Sequence, residues 1–204
     1  MDDFSLIGQH VRLEPLGHEH VASLVRAAGQ DRATYGWTFV PEANEAAMRL
    51  YVDKAIARRA AGAVFAFATF DQRRDTVVGS TRFAEIERFD WPEGDPGSRA
   101  VDSVEIGWTW LAADAQRTAI NTEAKYLMAR HAFEVWGVYR LWLKTDSRNE
   151  RSRQAIERIG ARFEGILRSH ARASVGGVRD TAVYAITEAD WPAARAALEA
   201  KLGR

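Results

Sequence analysis

The sequence of 204 residues contains no cysteine, carries no net charge and has no apolar run long enough to span a bilayer. The absence of cysteine excludes disulfide scaffolds, thiolate metal sites and cysteine nucleophiles. The 28 basic residues are balanced by 28 acidic residues, whereas a dedicated nucleic-acid binder usually carries a basic excess. The sequence therefore predicts neither nucleic acid nor a membrane as a partner.

Several motifs of catalysis, metal binding and export are also missing. The histidines lack the spacing of metal ligands, and His18-Glu19-His20 is too compact, so we expect no metal. There is no Gly-x-Gly-x-x-Gly, P-loop or Gly-x-Ser-x-Gly motif. The first residues, Met1-Asp2-Asp3-Phe4, are acidic where a secretory signal would be basic. These features favour a cytoplasmic location.

The apolar fraction of 47% and the seven tryptophans are sufficient for a sizeable core, and the length favours one domain over residues 1–204. Hydrophobic periodicity predicts strands at 11–13, 64–70, 76–86, 104–111, 140–145, 162–168 and 181–186, and helices at 18–28, 44–60, 119–136, 149–159 and 188–202. Gly176-Gly177 predicts a tight hairpin, and 88–100 is a Pro/Gly-punctuated loop. Strands come first as a meander and then alternate with helices, which predicts an α/β (α+β) fold with helices on both faces of the sheet.

The turn after the predicted strand at 104–111 opens a helix through Gln116-Arg117-Thr118-Ala119-Ile120-Asn121. The first backbone N–H groups of a helix have no partner within it, and the helix dipole is positive there, so this position can bind an anion. Thr118 is predicted to cap the helix with its hydroxyl near the N–H of Asn121. An ordinary capped helix that binds nothing has the same local sequence, so this alternative stays open.

The motifs of this region and of the segments after it resemble the GNAT superfamily of N-acetyltransferases in order and spacing. They are Glu105-Ile106-Gly107-Trp108, the run 116–121, Asn149-x-x-Ser152 and Ile159-Gly160. The later motif Phe163-Glu164-Gly165-x-Leu167-Arg168, with Asp180 and Tyr184, resembles the ribosomal-protein N-terminal acetyltransferase (RimJ/RimL-type) branch. The resemblance implies a mixed, mostly antiparallel central sheet, acetyl-coenzyme A as co-substrate and an amine as acceptor.

In the superfamily, the loop before this helix holds the diphosphate of coenzyme A through backbone amides, and a later Asn lies beside the pantetheine arm. The residues implied in cofactor binding here are Trp110, Leu111, Gln116, Arg117, Thr118, Ala119, Ile120, Asn121, Asn149 and Ser152. Two of them depart from the family pattern, since Ala119 and Asn121 replace small loop residues. Alanine fits helical geometry but not a positive φ. Arg117 could pair with a phosphate through its guanidinium, or it could be a solvated loop arginine.

Glu105 is the candidate general base, because a mid-strand carboxylate could receive the amine proton directly or through one water. A plain exposed strand carboxylate is the alternative, and His170 and Glu164 are weaker competitors. Many family members place a tyrosine acid where this chain has Ile156, which cannot donate a proton. Ser152 is then the candidate acid, with water or a purely local backbone contact of Ser152 as the alternatives.

The acceptor pocket is predicted around the loop aromatics Tyr35, Trp37 and Phe39, with His170, although aromatic side chains can equally belong to the core. The acceptor is a protein N-terminus or a small-molecule amine, and the sequence does not choose between them. The alternative from another functional class is a module that binds acyl-coenzyme A without transferring the acyl group. The resemblance also allows a homodimer.

Overall fold

The computed structural model of the protein describes residues 3–91 and 99–204, so most of the predicted loop at 88–100 lies outside the described residues. The strands are β1 (Leu6–Ile7), β2 (Val11–Pro15), β3 (Val64–Asp71), β4 (Thr76–Glu87), β5 (Ser103–Leu111), β6 (Arg140–Asp146), β7 (Arg162–Arg172) and β8 (Val178–Thr187). The helices are α1 (Val21–Ala28), α2 (Glu45–Ala60), α3 (Ala119–His131), α4 (Glu150–Glu157) and α5 (Trp191–Leu202).

The strands form one sheet in the order β1-β2-β3-β4-β5-β6-β8-β7. Neighbouring strands are antiparallel except β5 and β6, which are parallel and are joined through α3. Parallel neighbours need such a crossover because both strands must run toward the same edge. The carboxyl ends of β5 and β6 therefore meet at one edge of the sheet, and α3 and α4 begin beyond that edge. The predicted mixed, mostly antiparallel sheet is confirmed.

Helices cover both faces of the sheet, as predicted. Ser80 and Thr81 are consecutive on β4, and consecutive strand residues point to opposite faces. The hydroxyl of Tyr51 on α2 donates to Ser80 Oγ, whereas the ammonium of Lys125 on α3 donates to Thr81 Oγ1. Thus α2 and α3 lie on opposite sides. The buried aromatic rings of Phe65, Phe67 and Phe83 belong to the core, where each contributes about 1.5–3 kcal/mol.

The helix ends follow the predicted capping chemistry, with one correction. Asn44 precedes α2, and its Oδ1 accepts from the N–H of Ala47 at 2.9 Å. Thr118 caps α3, but its Oγ1 accepts from the N–H of Ile120 at 3.3 Å, so the predicted contact with Asn121 is wrong. The same hydroxyl donates to Ala115 O at 2.8 Å, which draws it toward the preceding turn. The N–H of Asn121 is therefore left to another acceptor.

The predicted turn at Gly176-Gly177 joins β7 to β8. Both glycines have positive φ values, 94° and 73°, which only glycine adopts without strain. The N–H of Ala173 donates to Gly177 O at 3.0 Å and closes the turn. In the part of the chain that the structure describes, no helix has the length and apolar character needed to cross a membrane.

Candidate active site

The parallel pairing of β5 with β6 is short. It joins Ser103 to Arg140, Val104 to Leu141 and Glu105 to Trp142, and the described strands show no further pair. Both strands continue beyond this point, β5 to Leu111 and β6 to Asp146. The ladder therefore ends at Glu105, and an opening between the two strands begins there. In the described strands, β5 beyond Glu105 therefore has no strand partner on the side of β6.

A β-bulge lies on β5 where this opening begins. On β4 the register advances by two residues from Ser80 to Arg82, whereas on β5 it advances by three from Gly107 to Trp110. The extra residue changes the side-chain alternation. Trp108 has a φ of 53° and is 47% exposed, so it does not share the buried face of Val104 and Ile106 that strict strand alternation would give it. Trp110 and Leu111 after the bulge are buried.

Glu105 is the last paired residue, and only 2% of it is exposed. Its Oε2 lies 2.9 Å from Lys144 Nζ on β6, and its carboxylate covers Gly107, where a Cβ would collide with it. Burial raises the pKa of the Glu105 carboxyl above the ordinary 4.5, and the ammonium of Lys144 opposes part of that shift. This environment is not that of an exposed strand carboxylate. A raised pKa suits a base that works near neutral pH.

Lys125 of α3 reaches the opposite face of the same strand. Its Nζ donates to Thr109 Oγ1 at 2.6 Å and to Thr81 Oγ1 at 3.3 Å. Burial lowers the pKa of Lys125 to about 7, against the attraction of Glu105. Lys125 was not predicted as a site residue. A single lysine in the otherwise apolar stretch 124–129 of α3 is nevertheless a usable signal. Lys125 holds the strand just after the bulge.

The loop before α3 is tied to both neighbouring elements through Gln116. Its Nε2 donates to Leu111 O at 2.9 Å, and its Oε1 accepts from Arg151 of α4 at 2.6 Å. Arg117 is exposed, with a φ of 60°. Ala119 is the first residue of α3, so the positive φ of this loop falls on Arg117 and alanine is compatible with its position. The start of α3 thus lies beside the first turn of α4.

The first turn of α4 carries Asn149 and Ser152. Asn149 Oδ1 accepts from the N–H of Ser152 at 3.1 Å, which caps the helix and leaves the amide NH2 of Asn149 as a donor. Ser152 is half-buried, and Ile156 is buried one turn later. On α3, the side-chain Oδ1 of Asn121 is buried without a hydrogen-bond partner within the described residues. The structure therefore brings the cofactor-binding candidates to one edge of the sheet.

The aromatic residues predicted for the acceptor pocket differ in exposure. Tyr35 is buried, its hydroxyl donates to Ala27 O at 3.3 Å, and its ring meets the ring of Trp110 edge-on. Trp37 and Phe39 are exposed. Tyr35 therefore belongs to the core next to β5, whereas Trp37 and Phe39 are exposed to solvent.

The weaker candidates on β7 are engaged elsewhere. Glu164 forms two contacts of 2.5 Å with the guanidinium of Arg140, which holds the pKa of the Glu164 carboxyl below its ordinary value. His170 is exposed, and its Nδ1 lies 3.1 Å from Thr181 Oγ1. An ion-paired carboxylate of lowered pKa is a poor proton acceptor near pH 7. Glu105 is thus the carboxylate with the more suitable environment.

The described residues offer no metal-binding cluster, and the surface cavity described below lies apart from the candidate site. Among residues 3–91 and 99–204, no group of three or more His, Asp or Glu side chains could hold a metal ion. A cavity of about 450 Å³ is lined by residues of the β2–α1 connection and α2, including Glu14, His18, His20 and Arg59. This cavity contains none of the predicted catalytic or cofactor-binding residues.

Comparison with known proteins identifies the family of the chain. The sequence profile described as "Acetyltransferase (GNAT) domain" matches residues 10–162. A search of curated proteins gave no match.

Solved structures are similar over nearly the whole chain. A structure described as an acetyltransferase from T. thermophilus is 33% identical, with a TM-score of 0.78, over 99% of this chain and 100% of that one. A GCN5-related N-acetyltransferase from Brucella melitensis is 30% identical, with a TM-score of 0.79, over 98% of this chain and 86% of that one. Mycobacterium smegmatis RimJ in complex with CoA-disulfide is 21% identical, with a TM-score of 0.77, over 95% and 90%.

Proposed function

Because the chain belongs to the GNAT acetyltransferase family, we propose that it transfers an acetyl group from acetyl-coenzyme A to an amine. The observation that carries the proposal is the opening between β5 and β6, which begins at the buried carboxylate of Glu105 and leads toward the start of α3. The RimJ structure of the same fold was solved with CoA-disulfide, which supports coenzyme A as the ligand class.

The start of α3 is the proposed diphosphate site. The N–H groups of Ala119 and Asn121 belong to the first turn of the helix and lack partners within it, and the positive end of the helix dipole adds to their attraction for an anion. Arg117 is exposed beside them and can form a bidentate pair with a phosphate. Asn149 and Ser152 line the side of α4 that meets this loop, where the pantetheine arm would lie.

The proposed chemistry is direct attack of the amine on the thioester carbonyl. Glu105 accepts the amine proton, and its burial favours transfer through one water molecule over direct contact. Backbone N–H groups of β5 beyond Glu105 stabilise the oxyanion, a type of contribution worth about 3–4 kcal/mol. Ser152 or solvent returns a proton to the departing thiolate.

The test of the proposal is release of free thiol from acetyl-coenzyme A in the presence of amines. The panel contains peptides with free N-termini, polyamines and aminoglycosides, and mass spectrometry identifies the acetylated product. Transfer to at least one class of amine is expected. Thermal stabilisation by acetyl-coenzyme A without thiol release would instead support a module that binds the thioester and does not transfer it.

A further inference from the structure

The guanidinium of Arg82 on β4 is buried without a polar partner. Only 5% of the residue is exposed, and Nε is buried with no hydrogen bond. Among the described residues the guanidinium has no hydrogen bond and no ion pair. A buried charge is unfavourable unless it is paired, and a guanidinium has five N–H donors to satisfy. The buried Nε–H of Arg82 thus lacks an acceptor among the described residues.

Two aromatic rings hold the Arg82 guanidinium in place. Its central carbon lies 5.2 Å from the centroid of the Tyr51 ring and 5.0 Å from the centroid of the Trp108 ring. The Tyr51 hydroxyl donates to Ser80 Oγ at 3.1 Å, which fixes that ring. Ring faces attract a cation, but they accept no ordinary hydrogen bond. The rings therefore orient the planar fork without satisfying its donors.

The strand pairing places Arg82 on the same face of the sheet as the proposed base. Arg82 is directly opposite Gly107 in the β4–β5 pairing, and the carboxylate of Glu105 covers Gly107. Opposite residues of an antiparallel pair point to the same face, with Cβ positions about 5 Å apart. Glu105 does not serve as the missing acceptor, because no hydrogen bond or ion pair joins it to Arg82 in the part of the chain that the structure describes; its Oε2 lies 2.9 Å from Lys144 Nζ. The ring of Trp108 is partly exposed.

We propose that Arg82 selects the acceptor by binding an anionic group, a carboxylate, carried by the same molecule as the reacting amine. The inference rests on the proposed acetyl transfer and names its substrate class as amines with a nearby carboxylate. The fork of Arg82 matches the two oxygens of a carboxylate, and the amine of the same molecule then lies on the Glu105 side. The carboxylate belongs to a small amino acid or to an acidic side chain of a peptide N-terminus.

The experiment measures kcat/KM by thiol release for matched acceptors with and without the carboxylate. The small-molecule pairs are β-alanine with propylamine, 4-aminobutyrate with butylamine and 5-aminopentanoate with pentylamine. The peptide pair is the amide of Ala-Glu with the amide of Ala-Gln. Wild type is expected to prefer the carboxylate member of at least one pair by about 10- to 100-fold, the effect of a charge-assisted hydrogen bond. Which pair shows the preference distinguishes the two sources of the carboxylate.

Three variants assign the preference to Arg82. Arg82→Gln is expected to bring the ratio close to one by lowering kcat/KM for the carboxylate member of the pair, and to leave the affinity for coenzyme A unchanged. Arg82→Lys keeps the charge without the fork and is expected to give an intermediate ratio. Arg49→Gln removes an exposed arginine of α2 that pairs with Glu45, and it should behave as wild type.

The inference is overturned if wild type shows no preference in any pair, or if the preference survives in Arg82→Gln. Loss of coenzyme A affinity in Arg82→Gln would also overturn the inference, because Arg82 would then bind an anionic group of the cofactor and not the carboxylate of the acceptor. If wild type acetylates no amine, the proposed acetyl transfer is wrong. Whether Arg82 forms an anion site is then tested by calorimetry with 4-aminobutyrate and with the Ala-Glu amide, each in the presence of coenzyme A. Binding to wild type that Arg82→Gln lacks supports the anion site, and absence of binding to wild type contradicts it. Thermal melting confirms that each variant is folded.

Discussion

The two halves of β5 are built differently although they belong to one strand. The first half, up to Glu105, pairs with β4 on one side and β6 on the other. The second half, from Gly107 to Leu111, pairs with β4 alone and contains the bulge at Trp108. Buried backbone groups need partners, so the second half is the part suited to a ligand. The comparison shows how one strand can fix a catalytic side chain and also offer its backbone to a substrate.

Replacing Glu105 with Gln should have the largest effect on activity. The change removes the proposed base at the end of the paired half of β5, and glutamine has nearly the same shape as glutamate. We expect kcat/KM to fall by about 10²- to 10⁴-fold. In wild type, kcat/KM should rise with pH through a pKa above the ordinary 4.5, because burial raises the pKa of the carboxyl that must be ionised. That acid limb should be missing from the pH profile of the variant.

Glu87→Gln is the matched control, since this exposed carboxylate lies on the neighbouring strand β4. Its kcat/KM should equal that of wild type. An unchanged rate and pH profile in Glu105→Gln would remove Glu105 from the chemistry.

Replacing Lys125 with Met tests how the unpaired half is held. In the folded protein the pKa of Lys125 is lowered to about 7, whereas the unfolded chain keeps about 10.5. Between pH 7 and 10.5 Lys125 is protonated in the unfolded chain and neutral in the folded protein. The free energy of unfolding of wild type minus that of Lys125→Met should therefore rise with pH. The slope should be about 1.4 kcal/mol per pH unit between pH 7 and 10. Urea unfolding of both proteins at several pH values measures it, and parallel curves would contradict the shift.

Replacing Ala119 with Pro removes one N–H donor at the mouth of the opening. Proline is well tolerated as the first residue of a helix, and Thr118 before it has extended geometry, so α3 should persist. The dissociation constant for coenzyme A should rise by about 10- to 100-fold, since one hydrogen bond to a charged phosphate is lost.

The matched control is Glu45→Pro, the same change at the first residue of α2, which follows the extended cap Asn44. Calorimetry should show wild-type affinity for this protein. Equal affinities of Ala119→Pro and wild type would place the diphosphate elsewhere.

Replacing Ser152 with Ala should have the smallest effect. A thiol of pKa about 8.5 leaves as a thiolate near pH 7 at little cost, so a proton donor can contribute no more than about 30-fold to kcat. We expect a reduction of kcat below that limit and only a small loss of coenzyme A affinity, because Ser152 also lies where the pantetheine arm is proposed to bind. If Ser152→Ala has the kcat of wild type, solvent and not Ser152 protonates the departing thiolate.

The sequence predicted the paired regions well because they obey simple periodicity. Val104 and Ile106 alternate with Glu105 as expected of a strand, and the helices and strands lie close to their predicted bounds. The α/β (α+β) class with helices on both faces followed from their order, whereas the mixed, mostly antiparallel sheet was implied by the family resemblance. Thr118 was identified as the cap of α3 because capping chemistry is local.

The sequence did not predict the features that depend on other strands. The bulge moves Trp108 out of the alternating pattern, and only the register with β4 reveals it. Lys144 and Arg82 were not singled out, because their closeness to Glu105 arises from pairing between distant segments. The catalytic and cofactor roles of the predicted residues stay predictions that the experiments above address.

The most direct measurement is a crystal structure of the protein grown with coenzyme A. The diphosphate should lie within hydrogen-bond distance of backbone N–H groups between Thr118 and Asn121, with the thiol end in the opening next to Glu105. A nucleotide bound away from the start of α3, for example in the cavity beside His18 and His20, would contradict the proposed site and the acetyl transfer built on it.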